Sequence, residues 1–223
     1  MKLLPFTNDF VFKAIFGRNP DILLDLLNSF PEFAGDKQIQ DIQILNPEIP
    51  KDILSEKLSI LDIHAVDKMG NKILIEMQSS HRTNFTKRIL YYWAKLYSKS
   101  LKTGEKYETL PKVYMFNFLN FNLLPQVEKF HTVFHLLEKN IPNLRLTDDL
   151  EIHIIELKKC RNVYETSQSN LEKWLLLLRD APILKGGQMK TLAKKNVNFK
   201  KAISELKTIS YDEELRNLYE IQS

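Results

Sequence analysis

The sequence predicts an α/β fold: a mixed sheet followed by a mostly helical C-terminal extension. Three observations predict it. Residues 58–78 read as two strands joined by a tight turn, residues 85–101 as a long amphipathic helix, and residues 112–118 as a strongly apolar strand. A strand, a long helix and another strand imply a right-handed crossover to a parallel neighbour.

The elements follow in order. Thr7 to Phe16 reads as a short helix with Phe10, Val11, Ala14 and Ile15 on its apolar face, and Gly17 as its stop. Asn19-Pro20 is an N-cap followed by proline at the first helical position, opening a second helix to Ser29. Ile39 to Leu45 alternates and predicts a first strand. Asn46-Pro47 and Pro50 mark a loop. Leu58 to Val66 and Lys72 to Gln78 form the hairpin, with Asp67, Gly70 and Asn71 as turn formers.

Phe85 to Leu101 carries Phe85, Ile89, Tyr92, Trp93 and Leu96 on one stripe, with Gly104 beyond its end. Lys112 to Phe118 is the next strand. Lys129 to Leu137 and Glu151 to Leu157 alternate as strands do. Asn170 to Arg179 is a Leu-rich helix containing Trp174, Gly186-Gly187 is a break, and the Lys-rich tail from Thr191 is helical. The predicted division is 1–160 as one domain and 161–223 as the helical extension.

Composition bounds the function. At 223 residues, with 43% hydrophobic and 27% charged content, the chain is an ordinary globular protein with one substantial core. It has no apolar run of roughly 18 residues, so no membrane partner is expected. Its N-terminal apolar stretch is too short for a signal peptide. One cysteine, Cys160, excludes an internal disulfide and a cysteine-based zinc site, and a reducing cytoplasm is the natural location. The six glycines are scattered, so there is no glycine-rich phosphate loop.

The net charge of +4 is unevenly spread. Residues 1–80 hold 8 Lys/Arg against 12 Asp/Glu, whereas residues 81–112 hold 8 against 2. Such a basic stretch is often only a solvated helix face. Beside an acidic site, it also suits an anionic polymer.

The acidic site is on the hairpin. Strand side chains alternate faces, so Glu76 and Gln78 share one face, opposite Ile73, Ile75 and Met77. If Asp67 pairs with Asn71, Asp62 lands opposite Glu76. Two facing carboxylates repel and call for a cation or a shared proton. Asp62 and Glu76 suit a hard divalent cation, Mg2+ before Mn2+ or Ca2+, and the Met77 carbonyl offers a third oxygen. Gln78 can hydrogen-bond water or phosphate but carries no charge. The structural alternatives are an Asp62–Lys72 pair, a Glu76–His64 pair, and an Asp9 that serves only the dipole of the first helix.

Here the residues carry a family resemblance. Asp62 followed by Glu76-Met-Gln78 resembles the D…(E/D)-x-K signature of PD-(D/E)XK nucleases, with Gln in place of Lys. Residues 7–17, 61–63, 75–78, 88–97 and 104–107, and Leu110-Pro-Lys-Val-Tyr with its strand, are together similar to the PD-(D/E)XK family transposases, also called recombination-promoting nucleases. The resemblance implies a restriction-endonuclease-like core of α-β-β-β-α-β order, and metal-dependent DNA endonuclease activity of the transposase type.

It also implies a catalytic set of Asp62, Glu76, Gln78 and Asp9, with Asp62 and Glu76 as metal ligands, to which the Met77 carbonyl adds the third oxygen expected above. DNA is the expected partner, contacted by His81, Arg82, Lys87, Arg88 and Lys95, and double cleavage of a duplex would favour a homodimer. The rival reading is a catalytically weak or inactive domain of this fold that binds nucleic acid or a protein partner.

Overall fold

In the computed structural model, which describes residues 3–45, 63–81, 83–160, 169–213 and 216, a six-stranded mixed sheet carries helices on both faces. Two helices come first, α1 (Asp9–Phe16) and α2 (Pro20–Leu27). Strands β1 (Ile42–Leu45), β2 (Ile63–Asp67) and β3 (Lys72–Gln78) follow, then α3 (Phe85–Lys99) and β4 (Val113–Leu119). The chain continues through β5 (His131–Phe134), β6 (Leu150–Glu156), α4 (Asn170–Asp180), α5 (Gly186–Lys195) and α6 (Val197–Tyr211).

The spatial order is β1-β2-β3-β4-β6-β5. The first three strands are antiparallel, β4 and β6 run parallel to β3, and β5 returns antiparallel at the far edge. The crossover through α3 to a parallel β4 is the one expected from the strand–helix–strand spacing.

Several local signals explain the element ends. Asn8, not Thr7, caps α1: its side chain accepts the Val11 N–H, so the helix starts two residues later than the pattern suggests. Asn19 makes no side-chain cap bond, although Pro20 does open α2. The turn between β2 and β3 forms as expected. Asp67 N–H donates to the Asn71 carbonyl at 3.1 Å, and the Asp67 carboxylate accepts from Met69 N–H, Asn71 N–H and the Asn71 amide. Gly70, at φ +88°, supplies a left-handed conformation that a side chain would resist. Gly186 and Gly187 do not simply break the chain. They form the first turn of α5, where unsatisfied N–H groups tolerate them.

The sheet faces are unequal. Ile73, Ile75, Met77, Phe116 and Phe118 pack under α1, α2, α4 and α6, in the same core as Trp174, Phe199 and Leu206. The extension is therefore packed into the sheet's main core. Trp174 is fully buried against Phe16 and Phe199, and its indole N–H donates to Asp25 at 2.8 Å. The other face holds a smaller cluster of Leu74, Met115, Ile152 and Ile154 beneath Phe85, Ile89 and Tyr92 of α3. It is to this thinner side that β3 presents Glu76.

Candidate active site

The fixed turn sets the phase of the hairpin. With Asp67 held to Asn71, Ile63 pairs with Ile75 and His64 with Leu74. Glu76, Gln78, Leu74 and His64 therefore share the α3 face. Asp62, the chain neighbour of Ile63, and Arg82 lie outside the described residues, as does 58–62 of the expected first hairpin strand.

Glu76 is only 2% exposed, near the C-terminal end of a central strand. A carboxylate so buried requires a cation or strong donors. Arg88 meets it, with Nη2 2.7 Å from Glu76 Oε1. The chain makes this possible by turning sharply at Asn84, in the left-handed region at φ 63°, so that α3 starts with Phe85 and Ile89 buried on the sheet. Arg88 follows one turn into that helix, with Phe85 and Tyr92 rings each 5.7 Å from its guanidinium carbon. The sequence suggested His64 as a cross-strand partner for Glu76. The register instead places His64 opposite Leu74, and Arg88 holds the Glu76 carboxylate.

Asn117 was not anticipated. It is the parallel-register neighbour of Glu76 on β4, on the same face, and is fully buried. Its amide donates to the His153 carbonyl at 3.1 Å, while its Oδ1 has no hydrogen-bond partner among the described residues. A lone amide inside the apolar run Val-Tyr-Met-Phe-Asn-Phe-Leu was the available signal. His64 Nε2 is a second buried atom without a partner among the described residues. Burial, aided by the charge of Lys72, pushes the His64 imidazole down to about 4, so it is neutral near pH 7.

Gln78 is half-buried and its Nε2 donates to the Met77 carbonyl at 3.2 Å. Met77 itself is fully buried in the opposite core. Asp9 opens α1, where its carboxylate accepts the Phe10 N–H at 2.8 Å. Around the rim, His81 is exposed with its ring against Phe121, and Lys87 is exposed. Lys95 sits 5.6 Å over the Tyr91 ring. Of the five expected nucleic-acid contacts, Arg88 is engaged with Glu76. His81, Lys87 and Lys95 lie just after the site strand, at the start of α3 and along it.

Cys160 is buried among apolar groups, which pushes its thiol up to about 12 and makes it a poor nucleophile. No described helix is long and apolar enough to cross a membrane.

A buried acid and an adjacent oxygen-bearing amide thus share a sheet face, on strands whose order follows the helix–hairpin–crossover plan. No curated protein and no solved structure matches the chain. Residues 6–223 do match the PD-(D/E)XK nuclease family transposases. With the match running over nearly its whole length, the chain belongs to the PD-(D/E)XK nuclease transposase family.

Proposed function

We propose that this protein is a cytoplasmic, metal-dependent DNA endonuclease of the transposase or recombination-promoting type, hydrolysing phosphodiester bonds. The observation that carries the proposal is the buried Glu76 carboxylate in register with Asn117, whose Oδ1 has no partner among the described residues. Together with the Met77 carbonyl and Asp62, these are hard oxygen donors, the set that magnesium-class ions prefer. The donor chemistry fits such an ion, which when bound would polarise a phosphoryl oxygen and acidify a coordinated water.

The chain's own residues divide the remaining work. Glu76 and Asp62 hold the ion, and the Met77 carbonyl completes the oxygen set. Gln78 orients water or phosphate through its amide and supplies no charge of its own. Asp9, at the start of the first helix, is the remaining acidic candidate for the catalytic set. His81, Arg82, Lys87 and Lys95 meet phosphates of the backbone, which gives affinity without reading sequence. Arg88 balances Glu76 when no ion is present and can turn to phosphate when one is.

Supercoiled plasmid incubated with Mg2+, Mn2+ or Ca2+ tests the reading. Wild-type protein nicks the plasmid, and Asp62→Ala and Glu76→Gln do not. Nicking by both variants at the wild-type rate sinks it. Arg88 on Glu76 and glutamine in place of lysine favour the second reading, a weak or inactive domain that binds nucleic acid or a protein partner. Calorimetry with Mn2+ separates the two, since the active enzyme must bind the ion.

A further inference from the structure

We propose a second metal site, for a zinc-class divalent cation, held by Glu32, His131 and His153. It lies on the sheet face opposite Glu76. His153 on β6 is in register with Phe116 of β4, which is in turn in register with Ile75, so its side chain points away from the α3 side. His131 of the edge strand β5 pairs with Ile155 and presents its ring to the same side, stacked on His153 at 5.2 Å. Glu32 comes from the short 3-10 turn Pro31–Phe33 that follows α2.

Three features make this a built site. One carboxylate oxygen and two ring nitrogens lie within 4.8 Å of one another, and His131 Nε2 and His153 Nδ1 are 3.0 Å apart. Two imidazole nitrogens on one tetrahedral zinc, at about 2.0–2.1 Å from the metal, stand about 3.3 Å apart. The pair therefore needs only a small opening, and rotation of the Glu32 side chain closes the third distance.

Second, Glu32 Oε2 is buried and has no hydrogen-bond partner among the described residues. Third, the supporting shell is in place. His153 Nε2 is 3.0 Å from Glu151 Oε1, and Glu151 Oε2 accepts from Lys112 at 2.7 Å. A carboxylate only accepts, so Nε2 carries the His153 proton, and Nδ1 accepts from His131 Nε2–H; a metal takes the place of that shared proton as His131 moves its remaining proton to Nδ1. Carboxylate–histidine–metal relays are the usual way a ligating imidazole is oriented. The rings are walled by Phe30 and by Phe116, which stacks on His153 at 4.2 Å. A cavity of about 750 Å³ borders Glu32 and Glu151 and offers an entry path.

Two imidazoles, which are borderline ligands, dominate this set over its single carboxylate. They suit zinc, cobalt or nickel, whereas the oxygen set around Glu76 suits magnesium. Bound there, the ion would clip the segment leaving α2 to the β5–β6 edge.

The test is titration of tag-free protein with Zn2+ and Co2+ in excess Mg2+, which occupies hard oxygen sites and ignores imidazole. One equivalent binds, cobalt gives a tetrahedral absorption spectrum, and zinc raises the thermal midpoint. Glu32→Gln and His131→Gln, both at partly exposed positions, each weaken binding by roughly a hundredfold, and Glu151→Gln by about 10–100-fold. Glu76→Gln binds zinc as wild type does. Absence of zinc binding, or affinity unchanged in both Glu32→Gln and His131→Gln, overturns the site. Loss in Glu76→Gln alone moves the zinc to the other face and also overturns it. Plasmid nicking is scored separately, so the nuclease reading stands or falls on its own.

Discussion

Replacing Arg88 with Met removes the guanidinium 2.7 Å from a carboxylate that is 2% exposed, while keeping most of the packing of its stem. Removing one partner of a buried ion pair costs about 3–5 kcal/mol, because the other charge stays buried. The Arg88 side chain is 22% exposed, so water can reach the space it leaves. We expect about 2–4 kcal/mol at neutral pH in EDTA. With a urea slope of about 2–3 kcal/mol per molar, the unfolding midpoint falls by about 1 M.

Two further readouts tie the loss to Glu76. In a Glu76→Gln background the same substitution costs under about 1 kcal/mol, since no charge remains to strand. Adding Mn2+ recovers much of the loss in the single variant, because the cation takes over the guanidinium's role. Equal losses with and without the Glu76→Gln change would refute the charge argument. A full loss that Mn2+ leaves untouched would refute the cation site while sparing the ion pair.

Other outcomes follow from the same geometry. Acid should weaken the fold early. Burial pushes His64 down from 6.5 to about 4, and burial with His153 nearby does the same to His131. Both folded values lie below the unfolded one, so their contribution is complete above about pH 6.5 and is lost as pH falls towards 4. At about 1.4 kcal/mol per tenfold change in proton affinity, each loss is at most about 3 kcal/mol. Urea midpoints measured from pH 7 to pH 4 check this, and His64→Leu should flatten the decline.

Glu151 extends the trend further down. Burial alone would raise it, but bonds from His153 and Lys112 outweigh that and hold it at about 2, so its stabilisation is lost below about pH 4.5. Trp174→Ala should cost about 3–5 kcal/mol by thermal or urea unfolding, because it empties a fully buried site between α1 and α6. A loss under about 1 kcal/mol would mean that the extension folds apart from the sheet.

The legible parts of this sequence were those governed by short-range rules. Asp67, Gly70 and Asn71 announced a turn, and the turn set the register, so the face of Glu76 could be read without a structure. The apolar stripe from Phe85 to Leu96 likewise gave α3 and the crossover. What stayed hidden depended on distant chain segments meeting. Nothing in the spacing of twelve residues between Glu76 and Arg88 reveals that a left-handed Asn84 turns one back onto the other. His131 and His153 sit 22 positions apart on antiparallel neighbours, and Glu32 is about a hundred residues from either, so no local pattern marks their meeting. Boundaries slipped where capping chemistry decided them, as with Asn8 in place of Thr7.

The Asp67–Asn71 turn has a consequence for how this chain can vary. Its four hydrogen-bonded residues, Asp67, Met69, Gly70 and Asn71, act as a phase lock for the hairpin. One added or deleted residue would rotate β3 by half a period, driving Glu76 into the aromatic core under α1 and sending Ile75 and Met77 to the thinner face. The segment should therefore accept changes of identity at exposed Lys68 and Met69 while rejecting one-residue changes of length. Insertions that leave the Glu76 face intact belong elsewhere on the surface, for instance between β4 and β5. In an alignment, a gap falling inside this turn would mark a relative whose acid no longer faces the same way.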